Sequence, residues 1–392
     1  MKKIVVKGGI PLHGEVAVSG SKNAALPIIF ACIIANGVSR IDNLPDIGDV
    51  RVALDILRGF GAQINREGER VIIDTGSLHY CTPRSSLVSG IRASTYLIGA
   101  CLARFGRCEI SSFGGCNFSH RPIDMHLAAC RAMGAEVGEY EITASRLRGT
   151  AIDFDKPSVG ATVNSLLLSV SAEGETRIRG FAREPHIDAL IDFLLSCGAE
   201  IRRTRDEIIV VGRSLHGGCI RVIGDMIEAG SYLAAGYATG GIVDVADSNV
   251  EGMEIVIDVI CGAKNGFTEV TASPYPGFPT DLQPVAASLM AVCTGGKITD
   301  TVWPHRFGYL NEISKFGVKF KADGNNAVIF PSKINCAEVT APDLRGGFAC
   351  LMCALAAEGE SKIYSAEIIL RGYERLVEKL RAIGAEIRIE EY

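Results

Sequence analysis

Two kinds of helical pattern alternate along this chain, and both end on glycine. The first is apolar nearly all round; Ala25–Gly37 and Ser94–Gly106 are examples, and the others end at Gly174, Gly241, Gly296 and Gly359. A helix with no polar face has to be buried. The second kind is amphipathic and closes on a recurring phrase: Arg58-Gly-Phe-Gly-Ala-Gln63, Arg131-Ala-Met-Gly-Ala-Glu136, Ser196-Cys-Gly-Ala-Glu200, Cys261-Gly-Ala-Lys264, Lys315-Phe-Gly-Val-Lys319 and Arg381-Ala-Ile-Gly-Ala-Glu386. Glycine there is a helix stop, and these helices are expected to face solvent. Short alternating runs such as Val38-Ser-Arg-Ile-Asp42 and Arg107-Cys-Glu-Ile-Ser111 follow the apolar helices and read as strands. The phrase returns at spacings of roughly 55–73 residues. The chain therefore reads as six strand–helix–strand–helix–strand–strand units, three in each half. That predicts two similar α/β domains facing each other across a cleft.

Composition adds limits. At 392 residues and 47% hydrophobic content there is enough apolar material for two cores. The formal charge of −5 comes without a basic run, so nucleic acid is not expected as a partner. Small anions need only local positive charge. Met1-Lys-Lys-Ile-Val-Val-Lys7 lacks the apolar region of a signal peptide, and no run has the length of a membrane span, so a cytoplasmic protein is expected. The thirteen cysteines are scattered through apolar segments. Cys32, Cys101, Cys350 and Cys353 fall in buried-helix patterns, where thiols serve as small hydrophobes. Cys350-Leu-Met-Cys353 has no second pair, and His126, His186 and His305 lack ligand spacing, so no metal is expected. No phosphate-loop or dinucleotide fingerprint follows a strand, so no such cofactor is expected.

The polar loops ahead of the helices carry the candidate chemistry. They place Lys22, Arg92, Arg121, Arg306, Arg345 and Arg371 at or beside predicted helix starts. Cations oppose the helix dipole there, unless an anion fills the gap between them and the helix end. The plain alternative is solvated surface charge. Cys116 stands apart from the packing thiols, on a loop with Gly114, Gly115, Asn117 and Ser119. Asp281 ends Pro276-Gly-Phe-Pro-Thr-Asp281, which two prolines stiffen; among arginines it is either a counter-ion or a proton acceptor.

These motifs resemble the enolpyruvyl transferases. The resemblance is carried by Ser21-Lys-Asn-Ala-Ala-Leu-Pro27, Gly114-Gly-Cys116 with Arg121-Pro-Ile-Asp124, Ser158-Val-Gly-Ala-Thr162, Phe278-Pro-Thr-Asp281 and Arg371-Gly-Tyr-Glu-Arg375, and it spans essentially the whole chain. It implies a two-domain inside-out α/β barrel, six βαβαββ units with three per domain. Residues 21–229 would form the first domain and 1–20 with 230–392 the second, with the active site in the cleft. The N-terminal strand would pair with the second half. It implies two small-molecule substrates, phosphoenolpyruvate and UDP-N-acetylglucosamine, with no cofactor and no obligate protein partner. Cys116 would donate the proton to C3 and Asp281 would take one from the sugar hydroxyl. Lys22, Arg121 and Arg371 would hold phosphate, Arg306 and Arg345 the carboxylate, and Asn23 would join the phosphoenolpyruvate contacts. Asn23, Arg92, Arg121, Pro122, Ile123, Asp124, Met125, Lys156, Pro157, Ser158, Val159, Asp281 and Val302 would line the nucleotide-sugar side. The family's thiol is also the one alkylated by fosfomycin, an epoxide phosphonate.

The chain departs from the family's pattern at His186, Met226, Pro304-His305 and Leu370, and looks shorter than usual in its fourth to sixth units. The phosphoenolpyruvate residues survive all of these departures. Two other readings stay open: a paralogue acting on a different uridine nucleotide, and a silent relative that only binds a nucleotide sugar.

Overall fold

The computed structural model describes residues 1–109, 122–246 and 252–392. These fall into two compact units. Met1–Ser19 and Gly224–Tyr392 form one; the described residues from Gly20 to Ile223 form the other. Each unit has its own hydrophobic core.

The apolar helices lie at the centre of each unit. In the Gly20–Ile223 unit these are Lys22–Ala31, Leu97–Phe105 and Val159–Ser169. Every residue from Ala161 to Ser169 is buried, the polar Thr162, Asn164 and Ser165 included. In the other unit Met226–Ala238, Gln283–Val292 and Leu344–Ala356 pack against one another. Sheets surround them and turn alternate residues inward, as a half-buried strand must. Ile178, for example, is in register with Ile208 on one side and Ile152 on the other, and all three are buried. Helices inside and sheets outside is the inside-out α/β arrangement anticipated from the patterning and the resemblance.

Three of the sheets among the described residues share one plan, a parallel pair extended by an antiparallel hairpin. Thr268–Ala272 runs parallel to Gly296–Asp300, which pairs antiparallel with Asn326–Phe330 and then Lys319–Asp323. Distant strands complete other sheets. Cys219–Arg221 lies parallel to Val38–Asp42, and His13–Ala17 lies parallel to Ile242–Ala246. Lys2–Gly8 inserts between Gly359–Tyr364 and Glu386–Glu391.

Several details differ from the repeat as predicted. Gly61, Gly134, Gly198, Gly317 and Gly384 take positive φ at the ends of their helices, but Gly262 lies inside the helix Glu254–Asn265. That helix leads straight to Thr268–Ala272, so the fourth unit has no hairpin of its own. Among the described residues the second unit has no strand ahead of its apolar helix. At the ends of the fourth and fifth apolar helices the left-handed residues are Gly240 and Gly295, one position earlier than expected. The helix Pro185–Ser196 was expected to face solvent, yet it packs on Lys22–Ala31 and buries most of its apolar side chains. Among the described residues no helix is long and apolar enough to cross a membrane, and no group of three or more His, Cys, Asp or Glu could hold a metal.

Candidate functional site

In the unit formed by the chain's two ends, Asp281 sits in the single 3₁₀ turn Thr280–Leu282 that opens the buried helix Gln283–Val292. Two guanidiniums hold it. Arg306 Nη1 and Nη2 donate to Oδ1 at 3.1 and 3.0 Å, and Arg345 Nε donates to Oδ2 at 3.2 Å. Both arginine side chains are only 3% exposed. A neighbouring network fixes Arg306. Asp300 accepts the backbone N–H groups of Val302 and Trp303 at 2.9 and 2.8 Å, and its other oxygen accepts from Thr280 Oγ1 at 2.7 Å. Thr280 Oγ1 in turn accepts from Arg306 Nη1 at 2.8 Å.

Arg345 is the second residue of the helix Leu344–Ala356, whose Asp343 cap accepts the Arg345 and Gly346 N–H groups. Its Cζ lies 5.3 Å from the centre of the Tyr373 ring. That ring stacks on Phe348 at 4.7 Å, and its hydroxyl is 3.0 Å from Ser231 Oγ. Burial works against the Arg345 charge, but Tyr373, Asp281 and Asp225 outweigh it and hold the guanidinium above its usual range. Arg345 Nη2 lies 3.2 Å from Asp281 Oδ2 without forming a hydrogen bond. A buried guanidinium nitrogen with donor capacity to spare suits the binding of an anion.

Arg371 is half-buried, and here the helix-start expectation is corrected. It caps the C-terminal end of the single turn Glu367–Leu370, where the dipole favours a cation, and the next helix begins at Leu376. Arg306 likewise lies in a turn four residues before the helix Leu310–Ile313 and does not start it. Of the described candidate cations, only Lys22, Arg92 and Arg345 open helical turns.

In the Gly20–Ile223 unit, Lys22 is the first residue of its helix, which Ser21 caps through the Ala24 N–H. Lys22 Nζ meets Asp49 Oδ2 at 3.3 Å, and Asn23 beside it is half-buried. Arg92 opens the 3₁₀ turn Arg92–Tyr96. Pro122, Ile123, Asp124 and Met125 lead into the helix Asp124–Ala132, and Ser158 caps Val159–Ser169 through the Ala161 N–H. Lys156 and Pro157 are exposed in the loop before it, with Val159 half-buried at its first position. Cys116 and Arg121 lie outside the described residues.

His126 is buried and pairs through Nδ1 with Asn164 at 2.7 Å. Burial pushes its imidazole pKa down to about 4; the Arg92 charge adds to this and Asp124 opposes it. A base whose folded pKa is depressed contributes stability above its unfolded pKa and loses it as pH falls toward the folded value. Moving from pH 7 to pH 4 should therefore cost the protein about 3 kcal/mol through this residue alone. Thermal unfolding across that range checks it: His126→Asn should flatten the acid limb, and an unchanged limb would remove His126 from the balance.

The sequence reading missed Asp49, Thr280, Asp300, Tyr373, Asn164 and the role of His126. Of these Thr280 and Tyr373 lie inside quoted motifs and His126 two residues beyond one, and their neighbours were the available signal.

A sequence profile described as EPSP synthase (3-phosphoshikimate 1-carboxyvinyltransferase) matches residues 6–269 and 257–380. The chain is 40% identical over 412 residues to a UDP-N-acetylglucosamine 1-carboxyvinyltransferase of Halothermothrix orenii, covering 99% of each chain. It is 40% identical over 417 residues to UDP-N-acetylglucosamine 1-carboxyvinyltransferase 3 of Caldanaerobacter subterraneus, covering 100% of each. Among solved structures, the enolpyruvyl transferase NikO from Streptomyces tendae superimposes with a TM-score of 0.88 at 25% identity over 99% of each chain. An EPSP synthase from Acinetobacter baumannii, at 19% identity and a TM-score of 0.72 over 100% of each chain, shares the fold. Matched along nearly all of its length by that profile and by these relatives, the chain belongs to the EPSP synthase family of carboxyvinyl, or enolpyruvyl, transferases.

Proposed function

We propose that this protein transfers the enolpyruvyl group of phosphoenolpyruvate to the 3-hydroxyl of UDP-N-acetylglucosamine and releases phosphate, the first committed step of peptidoglycan synthesis in the cytoplasm. The observation that carries this reading is Asp281 clamped between two buried arginines, with donor capacity left over at Arg345 Nη2, in a chain 40% identical end to end to enzymes of that name. The acceptor O–H adds across the enol double bond, oxygen to C2 and a proton to C3. Loss of phosphate and of a C3 proton then leaves the enol ether. Phosphoenolpyruvate carries close to three negative charges, and desolvating it needs several fixed cations.

Arg306 and Arg345 take the substrate carboxylate; Lys22, Arg121 and Arg371 take the phosphate. An arriving carboxylate competes with Asp281 for the two guanidiniums. A carboxylate released from two cations is the better proton acceptor. Substrate binding thus prepares Asp281 to receive the proton of the acceptor hydroxyl. Cys116 delivers the C3 proton. Asn23, Arg92, Pro122–Met125, Lys156–Val159 and Val302 serve the nucleotide sugar.

The test is phosphate release from phosphoenolpyruvate in the presence of each uridine nucleotide separately. Turnover with UDP-N-acetylglucosamine is expected. Turnover only with another uridine nucleotide favours the paralogue reading, and binding without turnover the silent relative. A second measurement addresses the thiol. Fosfomycin should add to Cys116 and spare the other twelve cysteines, read by mass spectrometry of peptides. Labelling spread over the exposed thiols Cys219, Cys261 and Cys336 would remove the case for an activated Cys116.

A further inference from the structure

Asn164 is fully buried in the middle of an apolar helix, where a polar side chain needs every partner it can find. It finds four. Its Oδ1 accepts the Gly99 N–H at 2.7 Å. Its Nδ2 faces the Thr95 carbonyl at 3.1 Å, the Gly160 carbonyl at 3.3 Å and His126 Nδ1 at 2.7 Å. For Nδ2 to donate to His126, that imidazole must carry its proton on Nε2. The ring lies so close to Gly160 that a Cβ there would come within 2.7 Å of Cε1.

These partners belong to three separate segments. Thr95 is in the turn that Arg92 opens, His126 follows Asp124 and Met125, and Gly160 follows Ser158 and Val159. Each segment carries residues assigned above to the nucleotide sugar. One amide joins all three from beneath. We infer that Asn164, acting with His126, is a positioning residue for the nucleotide-sugar half of the site: it holds the 92–95, 122–126 and 158–160 segments in one mutual geometry. The inference rests on the acceptor reading proposed above and deepens it. Asn164 touches no reacting atom, so its loss should fall on acceptor affinity and leave phosphoenolpyruvate binding alone.

The experiment is calorimetric titration of the full-length protein with UDP-N-acetylglucosamine, alongside KM for each substrate. Asn164→Leu and His126→Leu should weaken acceptor binding at least about tenfold, since each strands buried polar groups. The KM for phosphoenolpyruvate should stay within about twofold of wild type. His126→Asn places an oxygen near the former Nδ1 and should recover most of the affinity, which a mere volume effect would not do. If Asn164→Leu fails to fold, the contrast between His126→Asn and His126→Leu still decides. Wild-type protein that binds UDP-N-acetylglucosamine while both leucine variants bind it equally well overturns this inference alone. Equal losses for both substrates, or no rescue by His126→Asn, also overturn it. Wild-type protein that does not bind UDP-N-acetylglucosamine overturns the acceptor reading together with it.

Discussion

Asp281→Asn is expected to lower kcat by about 10²–10⁴-fold, the range that general-base catalysis supplies. The substitution is nearly isosteric, so the Thr280–Leu282 turn and the helix after it should persist. What it removes is the charge that Arg306 and Arg345 share. Two consequences pull in opposite directions. Without Asp281 as competitor, the guanidiniums should bind phosphoenolpyruvate at least as tightly as in the wild type, so its KM should not rise. Without a carboxylate between them, the two buried cations repel, and the free protein should melt earlier by an amount worth roughly 1–3 kcal/mol. Added phosphoenolpyruvate should therefore raise the melting temperature more in the variant than in the wild type. This combination separates the role from a structural one: kcat falls, KM is level or lower, and ligand stabilisation grows. A kcat close to the wild-type value would leave Asp281 as a counter-ion only, and proton removal would need another group.

The fold was legible where local rules and global packing agree. Apolar helices with no polar face must be central, and glycine after an amphipathic run stops a helix in most cases; Gly61, Gly134, Gly198 and Gly384 did so with positive φ. Gly262 shows the limit of the signal. Its phrase matches the others, but the helix goes on to Asn265, because an isolated glycine is tolerated inside a helix and Gly266 ends this one instead. The missing hairpin of the fourth unit was ambiguous for a related reason. Thr268–Ala272 reads as a strand of either the fourth or the fifth unit, and only pairing with Gly296–Asp300 settles which. Lys22, Arg92 and Arg345 could be picked out by their placement at helix starts, and Asp281 by its prolines; Arg306 and Arg371 lie elsewhere than that rule put them. The partners of site residues could not be picked out. Asp49 meets Lys22 from 27 residues away, Asp300 meets Thr280 across 20, and Asn164 meets Thr95 across 69. No periodicity carries such pairs; tertiary closure creates them.

Lys379→Met should be the most destabilising of the charge deletions considered, because it strands a buried carboxylate. Glu228 is 3% exposed, in the first turn of the helix Met226–Ala238, and accepts from Lys379 Nζ at 2.7 Å and from the Ser19 N–H at 2.7 Å. Lys379 Nζ also donates to Ser19 Oγ at 2.6 Å, and Ser19 O accepts the Asp225 N–H at 2.9 Å. The cluster thus ties the stretch where the chain leaves this unit, at Ser19, to the stretch where it returns, at Gly224–Asp225. Breaking a buried pair from one side costs about 3–5 kcal/mol, which for a unit of this size corresponds to a melting shift on the order of 10 °C. The pH dependence gives the mechanism away. Burial raises the Glu228 pKa; Lys379 and the Ser19 N–H lower it, and Asp225 adds to the rise. A carboxyl with a raised folded pKa stabilises below its unfolded pKa and loses that contribution as pH rises through the folded one. Removing Lys379 lifts the Glu228 pKa further, so the variant should lie closer to wild type at pH 5 than at pH 8. Replacing both residues, as Glu228→Leu with Lys379→Met, should cost less than the sum of the single changes, since neither charge is then left without its partner. A Lys379→Met protein whose melting deficit is equal at both pH values would mean that lost packing, and not a stranded charge, sets the cost.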